Sequence, residues 1–285
     1  MGTPPVVIAV ANEKGGAGKT STCINLGYAL AERGLQVGLV DTDVQCNLTT
    51  ALGDHLLPPA GEDLGAALKP GGASLSDREW LERVTVTGVA PNMDLVPGTK
   101  AGLMEAAIAL QARPADGIFR LQELLADPPF PWDVVLVDTP GELGAMFTNA
   151  LVASRWVLVP LKPDKDDLRG ARTVLDAVRA AQRLRPELAA LGLVLQQYEL
   201  TTNATRLLTD LAADLATAFD VRLLRTRIPK DVKVRDAANQ DAPVGQAFPI
   251  SRAAIMYRAL ADEVLSILRP EAETDESAAL AEAVV

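Results

Sequence analysis

Val6-Val7-Ile8-Ala9-Val10-Ala11-Asn12-Glu13-Lys14-Gly15-Gly16-Ala17-Gly18-Lys19-Thr20-Ser21 is the stretch that decides the fold. The apolar run 6–11 reads as a buried strand, a glycine-rich turn follows, and Lys19 opens a stretch with Ile24, Leu26, Ala29 and Leu30 at helical spacing. Strand, glycine loop and helix in that order make an anion site, because the glycines let backbone N–H groups turn inward and the helix N-terminus adds a favourable dipole. Lys19 is placed to reach the β- and γ-phosphates of a nucleoside triphosphate, and the Thr20 hydroxyl to ligate Mg²⁺. Lys14, Gly15, Gly16, Ala17, Gly18 and Ser21 complete the expected cradle. The standard form of such a loop carries glycine six residues before its lysine; here that residue is Glu13, and a second lysine, Lys14, opens the loop.

Outward from the loop, apolar runs bounded by turn residues alternate with helical patterns, the mark of βαβ units. Strands are expected at 6–11, 37–40, 93–96, 134–137, 156–159 and 191–195, and helices at 19–32, 101–110, 166–185 and 203–219. Ser76-Asp77-Arg78-Glu79 has the form of a capping box, and Ser251 is placed to cap a last helix running to about residue 268. The fold class is therefore α/β: a doubly wound, mostly parallel sheet flanked by helices. With 4% aromatic residues, the core must rest on Ala, Val, Leu and Ile, which suits strands buried on both faces. One domain over 1–269 and an acidic, disordered tail over 270–285 are expected, since the tail lacks the apolar periodicity to fold alone.

Two further strand ends carry acids. Leu39-Val40-Asp41-Thr42-Asp43 closes the second strand, and Val134-Val135-Leu136-Val137-Asp138-Thr139-Pro140-Gly141 is a buried strand ending in the Walker B arrangement. Asp138 is expected to hold magnesium directly or through water. An acid just past a strand's C-terminal end lies where open α/β sheets bind ligands.

These motifs together resemble the ParA/MinD family of ATPases. Lys14-Gly15-Gly16-Ala17-Gly18-Lys19-Thr20 is similar to that family's deviant Walker loop, and Asp41-Thr42-Asp43-Val44-Gln45-Cys46-Asn47 to its box of acids, with Val44 in place of the usual proline. Residues 228–237, Ile-Pro-Lys-Asp-Val-Lys-Val-Arg-Asp-Ala, resemble the segment beside the family's adenine pocket, and the resemblance covers about residues 6–268. It implies ATP and Mg²⁺ as cofactors, Lys14 as a catalytic lysine crossing an ATP-dependent homodimer, and Asp43 as the group acting on the attacking water. It further implies Asp41 in support of the magnesium shell, and Pro229 and Asp231 at the nucleotide. The function it implies is DNA partition: an ATP-bound dimer on non-specific DNA, released by hydrolysis that a ParB-like centromere-binding protein or cargo adaptor stimulates. A ParA-like positioning factor for a protein complex (a microcompartment, chemoreceptor array or secretion apparatus) is the alternative.

Charge leaves the DNA face open. The net charge of −10 argues against nucleic acid, yet residues 222–258 hold eight bases against three acids. Arg206, Arg227, Lys230 and Lys233 are the first candidates for DNA contact. A helical stripe of Arg169, Arg172, Arg179 and Arg183 with Asp176 is either a second contact or a solvated face.

The remaining signals exclude more than they suggest. His55 is the only histidine, so neither a Ser-His-Asp triad nor a His-based zinc site is expected. Cys23 and Cys46 read as reduced thiols, and neither lies where iron–sulfur relatives hold cluster cysteines, which argues against a metallochaperone-like carrier as well. Without a signal-peptide start, a membrane-length apolar run or a basic C-terminal amphipathic helix, the expectation is a cytoplasmic, nucleoid-associated protein with no membrane partner. Strand one begins almost at once, so no added operator-reading domain is expected.

Overall fold

A computed structural model describes residues 4–59, 61–69, 75–113, 115–199 and 203–268. Eight strands form one sheet: β1 Val6–Val10, β2 Val37–Asp41, β3 Val86–Ala90, β4 Met93–Val96, β5 Val134–Asp138, β6 Trp156–Leu161, β7 Ala189–Tyr198 and β8 Leu223–Pro229. The helices are α1 Lys19–Ala31, α2 Asn47–Ala51, α3 Leu64–Leu68, α4 Asp77–Val84, α5 Lys100–Gln111, α6 Arg120–Leu124, α7 Ala145–Ala153, α8 Lys165–Ala181, α9 Asn203–Phe219, α10 Val232–Ala238, α11 Val244–Ala247 and α12 Arg252–Leu268. Strand order is β3-β4-β2-β5-β1-β6-β7-β8, parallel throughout except where β3 runs back along β4.

Alternation along the strands splits the core. Ile8, Leu39 and Leu136 pack with Leu26 and Leu30 of α1 and with α12 on one face of the sheet. On the other face Val7, Val40 and Val135 meet α3 to α7, while Ala9, Val157 and Val159 meet α8 and α9. The central strands β1, β2, β5 and β6 thus read as continuous apolar runs because both faces are covered. The order of the central strands places the ends of β2, β5 and β1 side by side, at the point where the chain switches from winding one way to the other.

Expected elements recur with small shifts. The Ser76 capping box forms on α4, and Ser251 Oγ accepts from the Ala254 amide at the start of α12. The helix expected at 166–185 begins at Lys165, capped by Asp164, and ends at Ala181. β3, β8 and the helices α2, α3, α6, α7, α10 and α11 are additional to the expected set. The Leu224-Arg225-Thr226-Arg227-Ile228 alternation of β8, with two exposed arginines, reads first as a basic surface segment; Leu224, Thr226 and Ile228 are nevertheless buried. The acidic 270–285 segment lies outside the described residues.

Candidate nucleotide site

The loop after β1 ends at Gly18, which caps α1 with φ +100 and offers no side chain to the first-turn amides. A Cβ on Gly18 would lie 3.2 Å from Gln196 Cγ, so glycine answers both the left-handed backbone and the close approach of β7. No acid occupies the first turn of α1. The unpaired amides of that turn are therefore available to an anion. Lys19 is buried, its ammonium 3.4 Å from the Lys14 carbonyl oxygen.

Asn12 fixes the loop from beneath. Its fully buried side chain donates to the Pro160 carbonyl at 2.8 Å and accepts from the Lys14 amide at 2.9 Å. α8 comes close enough to hold it only because residue 170 is glycine; a Cβ there would lie 2.3 Å from Asn12 Oδ1. Lys14 itself projects outward, half-exposed, 3.4 Å from Asp166 Oδ2.

Sheet register sets the acids. Val10 and Asp41 both lie level with Asp138, so β5 delivers its carboxylate between the phosphate loop and the end of β2. The Thr20 hydroxyl donates to Asp138 Oδ2 at 2.6 Å, while Asp138 Oδ1 is buried with no hydrogen-bond partner. Burial, and secondarily the neighbouring Asp41 carboxylate, push the Asp138 carboxyl up to about 8. An orphaned oxygen on an acid that burial disfavours in its charged form, beside a threonine hydroxyl, fits a hard divalent cation, which would both supply the missing partner and stabilise the charge.

Asp41, expected in support of the magnesium shell, is committed to hydrogen bonds within the fold. Its buried Oδ2 accepts from the Thr49 amide at 2.8 Å and hydroxyl at 2.7 Å, and Oδ1 from the Asp43 amide at 3.3 Å. Those bonds hold α2 and the Asp43 backbone and engage both carboxylate oxygens. Burial raises its carboxyl to about 6. Asp43 lines the open cleft and accepts from the Gln45 amide at 2.9 Å, with Cys46 in a left-handed conformation (φ 52) closing the turn.

The cleft above the loop measures about 1290 Å³ and is lined by Glu13, Gly15, Gly16, Gly18, Lys19, Thr20 and Ser21, by Asp43 to Gln45, by 140–147 and by Gln197. That volume is ample for a nucleotide. A profile described as an AAA domain matches residues 6–190. The chain is 34% identical over 269 residues to the chromosome-partitioning ATPase Soj of Thermus thermophilus, covering 91% of this chain and 95% of that protein. The chain belongs to the ParA family.

A second relative is the sporulation initiation inhibitor protein Soj of Bacillus subtilis, 32% identical, with 90% of this chain and 97% of that one covered. Among solved structures, cobyrinic acid a,c-diamide synthase of Mycobacterium smegmatis, with bound ATP analogue and magnesium, superposes at a TM-score of 0.75 with 30% identity, covering 93% and 96% of the two chains. In this ParA chain the loop residues, Asp43 and Asp138 come together; Lys14 and Ala17 belong to the loop without lining the cleft, and Pro229 and Asp231 lie away from it. Pro229 is buried at the end of β8, and the Asp231 carboxylate is occupied by the amides of Lys233 and Ala253, capping α10 and tying it to α12.

The basic candidates scatter. Arg206 is exposed on α9, and Arg227 lies over the Tyr198 ring and donates to its hydroxyl at 2.7 Å. Lys230 sits 3.6 Å from Glu199, and Lys233 3.0 Å from Asp236. The α8 stripe is likewise engaged: Arg169 with Asp166, and Arg179 with the Phe219 ring. Both cysteines are buried free thiols, burial pushing Cys46 up to about 12 and Cys23 well up. Sequence reading missed Asn12, Gly170 and Gln196 as site supports, because none belongs to a local motif with the loop it steadies. Among the described residues no helix is long and apolar enough to cross a membrane.

Proposed function

We propose that this chain is a partition-type ATPase that binds ATP with Mg²⁺, dimerises on it, holds non-specific DNA as a dimer, and lets go when ATP is hydrolysed. The observation that carries the reading is the orphaned Asp138 Oδ1 beside Thr20 at the foot of an uncapped glycine loop. The ATP analogue and magnesium bound by the M. smegmatis protein support the same ligands here. When bound, the magnesium ion supplies positive charge to the phosphates. The chain's own residues do the rest. Loop amides and Lys19 hold the phosphates, Thr20 and Asp138 hold the cation, and Asp43, facing the cleft, orients and deprotonates the attacking water.

Lys14 acts across the dimer. Half-exposed and paired only at the surface with Asp166, it can exchange that carboxylate for a partner's γ-phosphate at little cost, since surface ion pairs contribute about 0–1 kcal/mol. DNA then associates through exposed bases such as Arg206 and Arg227, and a ParB-like adaptor stimulates hydrolysis, which places the protein in the cytoplasm at the nucleoid. The exposed guanidinium of Arg227 gives the field that phosphate needs, and two chains double it.

Calorimetry with Mg-ATP, beside steady-state turnover, tests this reading. Lys19→Ala loses detectable binding, because it removes the charge nearest the phosphates. Lys14→Ala still binds but loses dimer-linked turnover. A Lys14→Ala protein hydrolysing at the wild-type rate would remove the cross-dimer role.

A further inference from the structure

The loop that leaves β6 carries a lysine that neither the phosphate motif nor the acid motifs use. β6 runs beside β1, with Leu158 level with Val10, so the residues following each strand emerge together. Asn12 donates to the Pro160 carbonyl and thereby ties the two loops at their base. The Lys162 amide donates to Asp167 Oδ2 at 2.7 Å, which fixes where its side chain starts. From there the ammonium returns over the phosphate loop: Lys162 Nζ lies 3.6 Å from the position a Cβ on Gly16 would take. Among the described residues that ammonium has no hydrogen-bond or ion-pair partner, although its side chain is half-buried.

The charges around it make the placement telling. Glu13 and Asp43 line the cleft, and Asp41 and Asp138 lie buried at its foot. Of the two motif lysines, Lys14 is drawn toward Asp166 on α8, and Lys19 sits inside the loop on the Lys14 carbonyl. Of the three lysines, Lys162 is the one whose ammonium has no hydrogen-bond or ion-pair partner among the described residues, meeting the buried Asp167 carboxylate only through space. A partly desolvated ammonium held over glycine backbone calls for an anionic partner, and a lysine stem lets the charge follow a ligand that the loop positions.

We infer that Lys162 is a third phosphate-site lysine, acting within its own chain on the polyphosphate tail of the bound nucleoside triphosphate. It leaves Lys14 free to serve a partner without stripping the lone chain of a second cation at its phosphates. The inference rests on the nucleotide reading above and adds a residue that selects triphosphate over diphosphate, because a cation gains more from the more highly charged tail.

The test is binding, read without turnover. The affinity of a non-hydrolysable Mg-ATP analogue and of Mg-ADP is measured by calorimetry at two salt concentrations for wild type, Lys162→Gln and Lys162→Arg, with the thermal midpoint of each. Lys162→Gln should weaken the triphosphate about tenfold, the lower range for a lost charge-assisted hydrogen bond, and the diphosphate by less, with a flatter salt dependence and an unchanged midpoint. Lys162→Arg should keep most of the affinity. Equal affinity of Lys162→Gln and wild type for the triphosphate overturns the inference. So does an equal loss for both nucleotides together with a lowered midpoint, which marks Lys162 as a support of loop shape. If wild type itself binds neither nucleotide, it is the underlying ATPase reading that fails.

Discussion

At the ends of β2 and β5, Asp41 and Asp138 are buried and level with each other in the sheet, and their hydrogen bonds come from Thr49 of α2, the Asp43 amide and Thr20 of α1. Along β8 and α10, Arg225, Arg227 and Lys230 stand exposed, and Arg227 and Lys230 lean on a nearby ring or carboxylate. Both regions are dense in charge. In the first, desolvation makes every charge expensive unless a specific partner answers it; in the second, solvent screens each charge within about 8 Å. Change at the strand ends should therefore be felt residue by residue and steeply, and change on the basic face gradually and collectively.

The sharpest way to break that contrast is at Asp43. Asp43→Ala should still bind Mg-ATP and form a long-lived dimer, yet hydrolyse at least ~100-fold more slowly, the low end of the cost of removing a general base. Single-turnover hydrolysis beside light scattering reads both, and near-normal turnover would transfer the task to another group.

Asp138 should show its burial as a pH effect on stability. Its folded carboxyl is raised to about 8 and that of Asp41 to about 6, against about 3.9 in an unfolded chain, so the folded state holds more protons between those values. Without metal, stability is then fully present below about pH 4 and falls as pH rises toward about 8, by an amount on the order of a few kcal/mol. Mg-ATP should offset the loss at the upper end. Asp138→Asn should flatten the slope and abolish the magnesium effect. Urea unfolding at about pH 5 and about pH 8, with and without Mg-ATP, decides it; a wild-type protein that gains stability over that window contradicts the placement.

The smallest effect belongs to the basic face. Arg206→Glu with Lys233→Glu should weaken ATP-dependent binding to all DNA sequences alike and flatten the plot of log affinity against log salt by about 0.9 for each phosphate no longer neutralised. Basal ATPase should stay intact, since neither residue lines the cleft. Wild-type affinity and slope in the double variant would leave these residues as a solvated face. Lys233, already paired with Asp236, is the one whose loss should matter less.

Local pattern carried the phosphate loop, the strand-end acids and most of the elements, because glycine spacing, apolar runs and capping residues act within a few positions of one another. The Lys19 cradle and the acid at the end of 134–138 are legible for that reason. What only the tertiary structure decided depends on residues distant in the chain meeting at the sheet edge. Gly170 must be small for Asn12 to brace the loop, Gln196 packs on Gly18 while donating to the Thr22 hydroxyl at 3.0 Å, and Asp41 gives its oxygens to Thr49 and the Asp43 amide. Lys162 over Gly16 is of the same kind. The amino-acid order specifies which groups can bind a phosphate or a cation; the parallel register of β2, β5, β1 and β6 determines which of them are left unpaired to do so, because a buried polar group is satisfied or orphaned only by what packs against it.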